Sequence, residues 1–177
     1  MSLITCTPGG ATDNCYVTEA QAAAYFANTF REDTWQRHAT AVREQALIMA
    51  TQRIEQLGGP PMDPDSPRRP LFSGGPYDAD VQVLHFPRTQ DKTDAGVLVI
   101  PKALRDAICE QAFWLLERLD SPDLVDRQRL QEQGVATFYM DGHSETYRGT
   151  RIPRDMSPAA WDLVQPFIQR TRRTVVR

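Results

Sequence analysis

Residues Gly58 to Pro101 hold eight of the 13 prolines and five of the ten glycines in a chain of 177 residues. Such a stretch sustains neither a helical ladder nor a long strand, because proline lacks a backbone donor and glycine loses the most freedom on ordering. Apolar-periodic segments flank it on both sides. A connection longer than about 15 residues without regular structure is a functional loop or a disordered one. The sequence therefore predicts a mainly-α chain, a small bundle of about four helices with a long irregular loop and a β-hairpin. One compact domain is expected, as 177 residues allow. Its helical frame falls at 16–58, 101–120 and 157–170. An extended arm covers 59–100, a hairpin 134–149 and a basic tail 170–177.

Residues 1–15 are rich in turn formers and read as a further extended arm. Thr18 opens the first helix, and Gln21 three residues on completes a capping box. From Trp35 through Ala39, Val42, Ala46, Met49, Ala50 and Ile54 to Leu57 an apolar stripe recurs at helical spacing, which predicts one continuous helix. Gly58-Gly59 and Pro60-Pro61 stop it. Pro101 suits the first turn of the next helix. Leu104, Ala107, Ile108, Ala112, Leu115 and Leu119 form the principal face of that helix, and Cys109, Phe113, Trp114 and Leu116 broaden it until it reads as central. Trp35, Ala46, Leu104, Ile108, Leu115 and Leu163 are expected to meet in one core. The pair Asp141-Gly142 predicts a two-residue hairpin turn, placing Met140 opposite His143 and Phe138 opposite Glu145. Ser157-Pro158 starts the closing helix, and Pro166 shortens it.

The formal charge of -3 argues against generic nucleic-acid binding, which needs a basic face to release counterions. Arg170, Arg172, Arg173 and Arg177 nevertheless crowd the last eight residues with no acid among them. The three cysteines are an odd number without close pairing, so no disulfide framework is indicated. No basic-then-apolar leader opens the chain and no run reaches about 18 apolar residues, so neither a signal peptide nor a membrane span is expected. His38, His85 and His143 lie far apart and match no metal-ligand spacing. The paired glycines of LGGPP and FSGGPY lack the strand-to-helix context of a phosphate loop. Ser144 beside His143 sits on the opposite face of a strand and makes no nucleophile–base pair. No catalytic residue, cofactor site or metal site is expected, and the chain is not read as an enzyme.

Several short motifs recur in a fixed order along nearly the whole chain. They are Asn14-Cys15-Tyr16-Val17-Thr18, Tyr25-Phe26, Trp35, Glu44-Gln45-Ala46-Leu47-Ile48-Met49-Ala50-Thr51, Leu84-His85-Phe86-Pro87-Arg88, Ile100-Pro101, Gly134-Val135, Ser144-Glu145-Thr146-Tyr147 and Pro166-Phe167. This ordered set resembles a bacteriophage family that includes head–tail adaptor proteins and is often labelled DnaT-like single-stranded-DNA-binding protein. The proline-rich insert 60–76 and the arginines after Phe167 depart from the family pattern.

The resemblance implies a structural ring component of the virion neck, made in the host cytoplasm, between the portal and a tail or second neck protein. Self-association into a ring of about twelve subunits would match the portal. DNA would pass through the lumen without specific binding, and no membrane is involved. Leu71, Phe72, Tyr77, Phe138, Tyr139, Tyr147, Arg148, Arg170, Arg172 and Arg173 are the expected contact residues, with the arm mobile until assembly. The alternative is a single-stranded-DNA-binding or replication accessory protein, since interleaved aromatic and basic residues hold single strands.

Overall fold

A computed structural model describes residues 2–27, 29–57, 72–121 and 156–168, together with the backbone of 137–140 and 143–146. Among the described residues there are five α-helices: α1 (Glu19–Phe26), α2 (Glu32–Arg37), α3 (Thr40–Leu57), α4 (Lys102–Asp120) and α5 (Pro158–Val164), the last running into a 3-10 turn at Gln165–Phe167. Thr18 accepts the N–H of Gln21 and the Gln21 side chain accepts the N–H of Thr18, so the reciprocal cap at α1 is formed. Ser157 caps α5 through the N–H of Ala160, with Pro158 just inside.

The single helix expected from Trp35 to Leu57 is two. His38 adopts extended backbone (φ -82, ψ 144) and ends α2, and α3 restarts at Thr40. The break resets the helical phase. On α3 the buried face becomes Arg43, Glu44, Ala46, Leu47, Ala50, Thr51, Ile54 and Leu57, while Met49 is half exposed. Trp35 still turns inward and stacks at 4.8 Å on Phe26. On α4 the inward residues are Leu104, Ala107, Ile108, Cys109, Gln111, Ala112, Phe113 and Leu116. Leu115 is only partly buried against the core and Leu119 is exposed, so the centre of α4 lies one residue further on than the periodicity suggested.

Helices α3 and α5 pack on α4, and the core runs from Phe26 and Trp35 through Leu47, Ile54, Leu104 and Ile108 to Ala160 and Val164. Gln111 is fully buried in this apolar layer because its Oε1 accepts the N–H of Ser157 at 2.8 Å, which seats the start of α5.

The expected fold class is corrected. The folded body is the mainly-α bundle anticipated, with five α-helices among the described residues, and no strand or sheet is described within it. Its extended segments meet only as isolated bridges, Phe72 with Ile168, Pro76 with Arg88 and Lys92 with Leu98. Apart from the body, Thr137–Met140 and His143–Thr146 (β1 and β2) run antiparallel with Met140 opposite His143 and Phe138 opposite Glu145. Nothing described joins that pair into a larger sheet.

Two segments without regular elements are held to the bundle by named bonds. Residues 2–17 are pinned to α3: Ser2 and the N–H of Leu3 donate to the two oxygens of Glu44 at 2.6 and 2.9 Å, and Cys15, Tyr16 and Val17 are buried. Residues 72–100 lack regular elements yet carry a dense set of bonds to themselves and to the bundle. Residues 58–71, the proline-rich part of the arm, lie outside the described residues.

Candidate interaction surface

The segment 72–100 is organised by the motif Leu84-His85-Phe86-Pro87-Arg88. Phe86 is buried and meets Tyr16, Phe72, His85 and Phe167 at centroid distances of 5.2–5.9 Å. Beneath it, the Tyr16 hydroxyl donates to Glu55 and accepts the N–H of Phe86 at 2.9 Å. The other Glu55 oxygen accepts the N–H of His85 at 3.0 Å. Three separate stretches of chain are thereby tied through two side chains. Burial pushes the Glu55 carboxyl above its ordinary range, and the bonds from Tyr16 and His85 oppose that. The Tyr16 hydroxyl is held well up by burial and then by Glu55.

Arg88 closes the segment on itself. Its Nε and Nη2 grip both oxygens of Asp91 at 2.9 Å, a bidentate pair that is almost fully buried. Its Nη1 donates to the carbonyl and hydroxyl of Ser73 at 2.8 and 3.1 Å. The guanidinium also stands 4.9 Å from the Phe86 ring centre and 5.2 Å from that of Phe167. The N–H of Ser73 donates to the carbonyl of Phe167 at 2.8 Å, so the end of the bundle and the start of the segment share this clasp.

A rigid platform results, and apolar side chains stand out from it. Val81 is 51% exposed, Val83 62%, Val97 60%, Tyr77 46% and Val99 36%. Gln82, between the first two valines, turns inward to donate to the carbonyls of Leu84 and Pro87. Elsewhere Phe30 stands wholly in solvent on the α1–α2 turn.

Four cations of the described body have local anions. Arg31 pairs with Glu110, Arg43 with Glu19 at 3.0 Å, Arg88 with Asp91 and Lys102 with Asp106. Lys92 stands 4.8 Å over the Tyr77 ring. Among the described residues no group of three or more His, Cys, Asp or Glu is placed to hold a metal ion, and no helix is long and apolar enough to cross a membrane. Cys6, Cys15 and Cys109 are free thiols, and burial is the first cause that raises each; Cys6 reaches about 11.

Of the expected contact residues, Tyr77 is on the exposed surface, whereas Phe72 is fully buried between His85 and Phe86 and belongs to the core. The backbone of Phe138 and Tyr139 lies in β1. Leu71, Tyr147, Arg148, Arg170, Arg172 and Arg173 lie outside the described residues. Sequence reasoning did not single out the exposed valines of V-Q-V and V-L-V as contact residues. The inward glutamine between Val81 and Val83 was the available signal.

A search of curated proteins and a search of solved structures return no match. One family model, described as "Putative DnaT-like ssDNA binding protein", matches residues 1–176. That span takes in the capped α1, the Phe-Pro-Arg clasp and every helix of the bundle, and the chain therefore belongs to the DnaT-like ssDNA binding protein family.

Proposed function

We propose that this chain is a structural adaptor that acts by docking to other proteins, as a ring component between the portal and the tail of a bacteriophage neck. The observation that carries this reading is the apolar surface of Tyr77, Val81, Val83 and Val97 on a segment clasped to the bundle by Arg88 and Glu55. Exposed apolar patches on an otherwise polar surface mark interaction sites. A pre-ordered platform loses little entropy on association. The local pairing of Arg31, Arg43, Arg88 and Lys102 leaves the body poorly suited to tracking a phosphate backbone. Mixing the chain with the portal of its own phage and imaging the product tests the reading: a ring stacked on the portal supports it. Failure to associate, and absence from mature particles, would sink it.

The family's description favours a second reading more directly, that of a single-stranded-DNA-binding protein. The sequence feature that serves it is the run of four arginines in 170–177. A titration of single-stranded oligonucleotide at physiological salt separates the two. Sub-micromolar affinity, lost when Arg170, Arg172, Arg173 and Arg177 are replaced, selects the second.

A further inference from the structure

The exposed strips 81–83 and 97–99 are neighbours. The Gly9 turn (φ +82) lies against both, since a side-chain carbon at Gly9 would stand 3.8 Å from Gln82 Oε1 and 3.7 Å from a Leu98 methyl. Tyr77 joins them through Lys92, which pairs with Leu98 across an antiparallel bridge. The segment is acidic as well as apolar: Asp78, Asp80 and Asp94 are exposed along it, Asp91 is consumed by Arg88, and the other cation of 72–100, Lys92, covers Tyr77.

The face also has an open edge. The N–H of Thr93 donates to Val97 O at 2.8 Å and the N–H of Val99 to Asp91 O at 3.0 Å. In an antiparallel pair the intervening residue, Leu98, then directs its own N–H and C=O to the opposite side. An extended peptide can add to such an edge, with main-chain bonds supplying affinity and side chains supplying selectivity.

A segment with matching chemistry is present in the same chain. Residues 170–177 carry four arginines, no acid and the pair Val175-Val176. They lie outside the described residues. The chain leads into them from the start of the segment 72–100, where Ile168 bridges Phe72 and Phe167 accepts the N–H of Ser73. The nine residues after Ile168 span up to about 30 Å when extended. We propose that residues 170–177 dock on their own chain's acidic apolar face, arginines against Asp78, Asp80 and Asp94, valines along the Val97–Val99 edge. A tail docked there covers Val97 and engages the four arginines, so it competes with the proposed portal contact and with single-stranded DNA for the same groups.

Amide exchange at Leu98, read by NMR on the full chain, tests it. Three proteins are compared: the natural chain, one with Arg170, Arg172, Arg173 and Arg177 all changed to serine, and one carrying Asp78→Asn, Asp80→Asn and Asp94→Asn. Circular dichroism checks that all three keep their helices. The expected result is exchange at least about tenfold slower in the natural chain than in either variant, as an added hydrogen bond to that amide requires. The protection should vanish near about 1 M salt, where the Debye length is about 3 Å. A synthetic peptide of residues 169–177 should restore it to the serine variant. Equal exchange in all three proteins, or no restoration by the peptide, overturns the docking. Protection that grows with protein concentration overturns the intramolecular assignment and places the segment on a second copy.

Discussion

Replacing Arg88 by alanine strands the Asp91 carboxylate in a nearly dry site and frees the Ser73 carbonyl, so the loss combines an unpaired buried charge with lost ring contacts. Breaking a buried pair from one side costs about 3–5 kcal/mol. Lysine cannot reproduce the two-pronged grip, so Arg88→Lys should recover little of that in a chemical melt. Tyr16→Phe leaves Glu55 and the N–H of Phe86 each short of a partner and should cost about 1–3 kcal/mol. On α4, Leu116→Ala should cost about 2–5 kcal/mol and Leu115→Ala distinctly less, because only the former is fully enclosed. Equal losses would put the core in the wrong place. Two glutamates should bend the pH profile in opposite directions. Glu44 is held below the ordinary carboxylate range by the Leu3 N–H and then the Ser2 hydroxyl. Its folded form binds fewer protons than the unfolded chain, so its contribution is complete above about pH 4.3 and fades as pH falls through the lower folded value. Glu55 is raised by burial, so its folded form binds more protons, and stability is lost as pH rises from about 4.3 through the raised value. Unfolding curves for Glu44→Gln and Glu55→Gln should flatten the acid limb and the upper limb respectively.

At the scale of elements, the break at His38 has the widest consequence. It allows α2 to tuck Trp35 against Phe26 while α3 presents a different face, and a Nη2 of Arg43 reaches back to Glu19 on α1. His38 itself lies 3.3 Å from Asp120 at the end of α4. The segment 72–100 behaves as an element despite its lack of regular structure, because polar side chains supply the bonds that a ladder would otherwise provide. Phe72→Ala should therefore destabilise the whole fold by about 3–5 kcal/mol, as for any enclosed aromatic. A thermal melt that scarcely moves would mean that the segment and the bundle are separate units. Gly74 and Gly96 both hold positive φ (84 and 79), and Gly96→Ala should be mildly destabilising through backbone strain alone, since nothing stands within 4 Å of its missing side chain.

For the whole molecule, assembly and stability are separable predictions. The surface residues Val81, Val83 and Val97 contribute little to the core, so changing all three to serine should leave the melting temperature nearly unchanged and remove the proposed association with a portal. Loss of fold in that variant would show that the valines are structural. Retained association would move the contact to another face, the exposed Phe30 turn being the next candidate.

Sequence alone determined the local features whose physics spans a few residues. The reciprocal cap at Thr18 and the Ser157-Pro158 start are both set by neighbours within one turn of helix. The 3.6-residue period likewise placed α4 and most of its inward face, and the motif around Phe86-Pro87-Arg88 carried the family resemblance before its contacts were visible. Tertiary structure decided whatever depends on groups distant in the chain. Proline and glycine content marks where regular ladders stop, yet it is silent on whether side chains replace them, and here Glu55, Tyr16 and Arg88 do so across separations of up to 70 residues. The widened inward face of α3, with Met49 left half exposed, and the shift from Leu115 to Leu116 follow from which neighbouring helix each face meets. Exposure of the valines followed the same logic: a period-two pattern states that alternate residues share a side, and only the packed bundle determines which side faces water.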